Sequence, residues 1–192
     1  MIGIGGLARS GKDTLAKNLS EVIQKDWGCD VKIFSFAEEL KSQMDGFLIK
    51  NYGISAFTEN TEEKIIIRDL LVSHGETMKK FYKQTIWTDL VIDKIDSDPE
   101  RFFPIISDVR FDFEAERVQD QGGLIVHISK VGNQPPNEIE HLNDPLVSKI
   151  ADLNHTWPSY KPDQMDKCMD HAQILWQMLK QTQGDEWKKI YS

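Results

Sequence analysis

Gly6-Leu7-Ala8-Arg9-Ser10-Gly11-Lys12-Asp13-Thr14 follows the apolar opening Met1-Ile2-Gly3-Ile4. The stretch reads as strand, glycine-rich turn and helix, and it fits the pattern G-x-x-x-x-G-K. Glycines let the backbone curl so that consecutive N–H groups converge on one point. The helix that follows adds its positive N-terminal end, and Lys12 adds a full positive charge. The pattern predicts a loop that cradles the phosphates of a nucleoside triphosphate, built from Gly6, Arg9, Ser10, Gly11, Lys12, Asp13 and Thr14. Leu15, Leu19, Val22 and Ile23 share one face at helical spacing, which supports the helix. Asp13 stands where such loops usually carry Ser or Thr, and the hydroxyl comes one place later at Thr14. Ligation of Mg²⁺ from the loop is therefore open between Asp13 and Thr14.

Outward from the loop, strand and helix signals alternate. Val31 to Phe36 reads as a second strand, with branched and aromatic residues in a short run. Ala37 to Lys50 reads as a helix ending near Gly53, and Ile54 to Thr61 as a loop. Glu62 to Ser73 is predicted helical and interrupted by Gly75; a further helix runs from about Met78 to Ile95. Asp96-Ser97-Asp98-Pro99 is a turn signal. Pro104 to Ser107 reads as a short buried strand ending in Asp108. Phe113 to Gln121 reads as a helix closed by Gly122-Gly123, and Leu124 to Ser129 as the next strand. Lys130 to Pro145 is polar, holds three prolines and reads as a mobile loop. Ile150 to Asn154 is a last short strand. Pro162 to Gln183 is a terminal helix with Met165, Met169, Ala172, Leu175, Trp176 and Leu179 on its inner face.

This order predicts an α/β fold with a parallel sheet and helices on both faces. The ligand site of such a sheet lies at the carboxyl ends of its strands. The 192 residues suffice for one domain with a real core. The formal net charge of −8 argues against an extended nucleic-acid partner, which needs a basic face. No apolar run approaches the roughly 20 residues that span a membrane. Cys29 and Cys168 give neither metal spacing nor a disulfide framework. A loop starting at residue 6 leaves no room for a leader, so the expected location is cytoplasmic.

A second constellation leaves the third strand: Asp108-Val109-Arg110-Phe111-Asp112-Phe113-Glu114. Asp108, at a strand's carboxyl end, suits Mg²⁺ directly or through water. Arg110 offers a planar fork for phosphate or for a carboxylate. Glu114 reads equally as a substrate contact and as a first-turn carboxylate that favours the helix. Arg68, on a predicted helix flanking an acceptor site, is a candidate phosphate clamp. Trp87 and Trp157 belong to the core or line a pocket. His127 reads as structural, while His141 and His155 show no metal spacing.

Three patches together resemble the bacteriophage-type deoxynucleoside monophosphate kinases: G-L-A-R-S-G-K-D-T at Gly6 to Thr14, R-D-L-L-V-S-H-G at Arg68 to Gly75 followed by Trp87, and S-D-V-R-F-D-F-E-A at Ser107 to Ala115. The resemblance covers about Met1 to Asn154. It implies a three-layer P-loop kinase fold and a single domain over 1–192. An acceptor-binding helical insert would occupy about 37–100, and a closing lid about 130–146. It implies ATP-dependent, Mg²⁺-assisted phosphorylation of dNMP to dNDP in the cytoplasm, that of the host if the chain is viral. Lys12, Arg110 and Asp108 would be catalytic. Arg68, Arg110, Glu114 and Trp87 would bind substrate, and Asp13, Thr14 and Asp108 the metal. Homodimerisation stays open. Lys130-Val131-Gly132 stands where the family usually carries Arg-Pro-Gly, and residues 130–146 contain no arginine. Two alternatives stay open beside this reading. One is a P-loop kinase acting on another small molecule; the other is a P-loop regulatory NTPase, which the absence of an Asn-Lys-x-Asp motif disfavours.

Overall fold

The computed structural model describes residues 1–160, 164 and 166–191. In chain order the elements are β1 (Ile2–Gly5), α1 (Lys12–Trp27), β2 (Val31–Phe34), α2 (Phe36–Tyr52), α3 (Thr61–Phe81), α4 (Ile86–Ser97), β3 (Phe103–Val109), α5 (Asp112–Asp120), β4 (Leu124–Lys130), α6 (Glu138–Ile150), β5 (Leu153–Trp157) and α7 (Lys167–Tyr191). They form two compact units, one of Met1–Phe34 with Asp98–Ser192 and one of Ser35–Ser97.

The first unit holds a five-stranded, all-parallel sheet in the order β2-β3-β1-β4-β5. Its central strand shows why the layers form. Ile2 and Ile4 point to one face and join Leu15, Leu19 and Ile23 of α1 with Leu175, Trp176 and Leu179 of α7. Gly3 and Gly5 point to the other, where α5 and α6 approach closely. A Cβ on Gly3 would meet Ile125 Cδ1 of β4 at 2.6 Å and Val118 Cγ1 of α5 at 3.4 Å, and one on Gly5 would lie 2.8 Å from Val147 Cγ1 of α6. Alternation along four residues thus buries both faces, as a central parallel strand requires. Phe103 is fully buried and meets Trp27, Trp176, Trp187 and Tyr191 edge-on. The result is an α/β fold in three layers, α1 and α7 over one face and α5 and α6 over the other.

The second unit is helical. Ser35 and Asn60 cap α2 and α3 by accepting from backbone N–H groups of their first turns. Asp45 accepts from Ser55 Oγ at 2.7 Å and Ala56 N–H at 2.8 Å, tying the α2–α3 connection to α2. Leu48, Ala56 and Ile67 form its small core.

Four segments differ from the sequence reading. Gly75 does not interrupt a helix; α3 runs through it to Phe81, and the break falls before Ile86. The α2–α3 packing explains this, since a Cβ on Gly75 would lie 2.8 Å from Leu40 Cδ1. Close approach there offsets the roughly 1 kcal/mol helical cost of glycine. Residues 130–145 are not a loop throughout. Asn137 caps α6, which continues through Pro145 while Val147 packs against Gly5. The last strand is Leu153–Trp157 rather than Ile150 to Asn154, and it pairs along β4 up to Lys130. The terminal helix is Lys167–Tyr191; Pro162 and Met165, expected within it, lie outside the described residues. Among the described residues, no helix is long and apolar enough to cross a membrane.

Candidate functional site

At the carboxyl end of β1 the chain turns through Gly6 with φ 137°, Arg9 with φ 63° and Gly11 with φ 96°. Glycine is required twice here. A Cβ on Gly6 would fall 2.2 Å from the Ile128 carbonyl oxygen, and one on Gly11 2.5 Å from Trp157 Cζ2. Arg9 is the non-glycine residue in the left-handed region, a conformation that concentrates at ligand-binding loops. Ser10 N–H donates to the Leu7 carbonyl at 3.1 Å, closing the turn before α1 begins at Lys12. The backbone therefore curls into a concavity opening onto the N-terminus of a sixteen-residue helix, the geometry that binds anions.

Lys12 is buried at the base of this loop. Its Nζ donates to the carbonyls of Gly6 at 2.6 Å and Leu7 at 2.8 Å. Burial lowers its pKa from the ordinary lysine value, and the Arg110 guanidinium lowers it further; Glu140, Asp13 and Asp108 oppose the shift. Beneath the loop, Trp157 Nε1–H donates to the Ser10 carbonyl at 2.7 Å. Ser10 Oγ is buried and, among the described residues, has no hydrogen-bond partner. An orphaned hydroxyl inside a curled, glycine-rich loop fits a bound oxyanion.

The neighbouring strand β3 supplies the second group. Val109 pairs with Gly5, so Asp108 and Arg110 leave the sheet beside the loop. Arg110 Nη1 donates to Glu140 Oε1 at 3.4 Å. Glu114 lies in the first turn of α5 and is only 6% exposed. Its Oε2 accepts from the N–H groups of Arg110 at 2.8 Å and Phe111 at 3.2 Å. Of the two roles read for Glu114, the structure supports the cap: its carboxylate shapes the β3–α5 turn.

The described residues contain no group of three or more His, Cys, Asp or Glu side chains able to hold a metal. Mg²⁺ at a nucleotide needs less, because it takes one or two carboxylates and completes its shell with phosphate oxygens and water. Asp13 and Asp108, both felt electrostatically by Lys12, fit that donor set. Thr14, in the first turn of α1, adds a half-buried hydroxyl.

Two expected substrate residues belong to the helical unit. Arg68 is exposed on α3. Trp87 is 5% exposed, and its Nε1–H donates to the Gly75 carbonyl at 3.4 Å. Of the two readings of Trp87, core or pocket wall, its burial within the helical unit accords with the core.

Sequence reasoning missed Glu140 and Asp144. Ala8 N–H donates to Glu140 Oε2 at 2.7 Å, and the buried His127 shares a 2.9 Å Nε2–Oδ1 contact with Asp144. Asn137-Glu138-Ile139-Glu140 carried a usable signal, since Asn followed three residues later by Glu is a helix-start pattern. A scan against protein-family models and a search of curated proteins both returned no match to this chain.

Proposed function

We propose that this chain transfers the terminal phosphoryl group of ATP to the phosphate of a deoxynucleoside monophosphate. The observation that carries the reading is the curled loop 6–11, with Lys12 at its base and the unpartnered Ser10 hydroxyl inside it. Phosphoryl transfer needs little covalent chemistry from a protein; positioning and charge stabilisation supply most of the rate.

In this reading the loop amides and Lys12 hold the β- and γ-phosphates. Arg110 stabilises charge on the equatorial oxygens of the phosphoryl group in flight. An oxygen of the acceptor phosphate forms the new bond to the γ-phosphorus as the bond to the β–γ bridging oxygen breaks, leaving ADP. Mg²⁺, when bound, neutralises charge on the β- and γ-oxygens, and Asp108 with Asp13 or Thr14 would hold it. Arg68 binds the acceptor phosphate. The activity belongs to the cytoplasm.

A second reading keeps the loop and changes the acceptor to another small molecule. Residues 130–146 contain no arginine, which favours it where the closing segment is expected to clamp phosphates bidentately. A coupled assay of ADP release, with ATP and Mg²⁺ against a panel of dNMPs, NMPs and a no-acceptor control, separates the two. Release that depends on one or more dNMPs is expected. Release that ignores every acceptor would make the chain an NTPase, and none at all would remove the dNMP kinase reading.

A further inference from the structure

The donors of the curled loop already hold an anion from the chain itself. Ala8 N–H donates to Glu140 Oε2 at 2.7 Å, and Arg110 reaches Oε1 of the same carboxylate at 3.4 Å. The Lys12 ammonium feels that carboxylate as its strongest favourable charge. A loop amide, a guanidinium and a loop lysine are the donors a phosphate group takes.

Local geometry shows that this contact is built rather than incidental. Asn137 Oδ1 accepts from Glu140 N–H at 2.9 Å, which puts Glu140 three residues into α6. A glutamate there ordinarily reaches back to the N-cap amide of its own helix. Glu140 turns to the loop instead, and its side chain is only 12% exposed. Asn133 Nδ2 donates to the Ala8 carbonyl at 2.9 Å, a second tie between the same segment and the same loop residue. One turn further along α6, Asp144 pairs with the buried His127 of β4 and fixes the helix on the sheet. The Glu140 carboxylate forms part of the wall of a small recess beside Gly6, Leu7, Arg110 and Asp144, next to the loop.

We propose that Glu140 is an internal surrogate for a phosphate. Its carboxylate and an incoming phosphate compete for Ala8 N–H, Arg110 and Lys12, so polyphosphate binding swings the first turn of α6 off the loop. The inference rests on the polyphosphate-binding reading of residues 6–14. Competition of this kind tunes affinity: it weakens nucleotide binding and couples occupancy of the loop to the position of α6.

Isothermal titration of ATP, and separately of inorganic tripolyphosphate, into the full chain and its Glu140→Gln, Glu140→Ala and Lys12→Ala variants tests it. Both Glu140 variants should bind each ligand on the order of tenfold more tightly than the parent, the scale of one charge-assisted hydrogen bond. Lys12→Ala should lose binding. Unchanged or weaker affinity in both Glu140 variants, with binding still dependent on Lys12, overturns the surrogate and leaves the loop reading standing. A gain for ATP without one for tripolyphosphate also overturns it, because the competition is for phosphate donors and not for the base. Absence of binding by every form overturns the loop reading and the surrogate with it.

Discussion

Lys12 and Trp157 show how much of the candidate site rests on single side chains. Lys12 is held by two carbonyls of its own loop, so its ammonium stays at the loop base instead of ranging through solvent. Lys12→Ala should abolish ATP binding and phosphoryl transfer while leaving the circular dichroism spectrum unchanged. Full retained binding would remove the loop from the mechanism. Trp157 acts from below. Its indole packs on Gly11 and donates to the Ser10 carbonyl, fixing the peptide that precedes the start of α1. Trp157→Phe keeps most of the packing and leaves that buried carbonyl unsatisfied, a cost of about 1–3 kcal/mol. In a chain of this size the loss corresponds to a Tm lower by roughly 2–10 °C. ATP affinity should fall in the same variant, and an unchanged ATP Kd would make the indole a packing residue only.

At the scale of elements, helices α6 and α7 carry the information that the loop motif lacks. Helix α6 brings Glu140 and Asp144 to the loop and to β4 from a stretch whose polarity and prolines obscure the helix-start signal at Asn137. The start of α7 is joined to β5 by a relay. Tyr160 shares a hydrogen bond with His171 Nε2, and His171 Nδ1 with His155 Nε2 at 2.7 Å. Burial raises the Tyr160 pKa, and the direction in which the protons point along this chain follows the His171 tautomer. Burial first, and the neighbouring His171 second, hold the His155 pKa below the ordinary histidine value of 6.5. Between the lowered value and 6.5 the unfolded chain binds more protons than the folded one. Stability contributed here is therefore complete above pH 6.5 and falls as the pH drops through that window. Thermal unfolding followed from pH 7.5 to 5.5 should show a Tm decline that His155→Gln reduces. An equal slope in parent and variant would exclude His155 as its source.

For the whole molecule, the residues named in the proposed reaction fall on two units. The sheet unit carries the curled loop, Asp108 and Arg110; the helical unit carries Arg68. Arg68→Ala should raise the KM for the acceptor by roughly tenfold and leave the ATP KM within a factor of two, the pattern of lost binding at one substrate. An effect confined to ATP would remove Arg68 from the acceptor side. The chain carries a formal net charge of −8. The positive groups at the loop, Lys12 and Arg110, form a local exception set among Asp13, Asp108 and Glu140.

The chain's own sequence determined the strand–loop–helix at its start, the parallel sheet and the exit of Asp108 and Arg110 from β3. The loop depends on neighbours within a few residues, glycines that allow positive φ and a helix start just beyond, and the sheet class follows from short apolar runs alternating with helical periods. The packing role of Gly75, the burial of Trp87 and the cap made by Glu114 were ambiguous at that level, because spacing does not say which surface a residue meets. Only the tertiary structure decided that residues 138–150 are a helix and that Glu140 reaches Ala8. Val147 against Gly5 and Asp144 against His127 outweigh the hydrogen bond that Pro145 withholds. Those contacts join different elements, Glu140 to Ala8 across 132 residues and Asp144 to His127 across 17, and no local pattern encodes them.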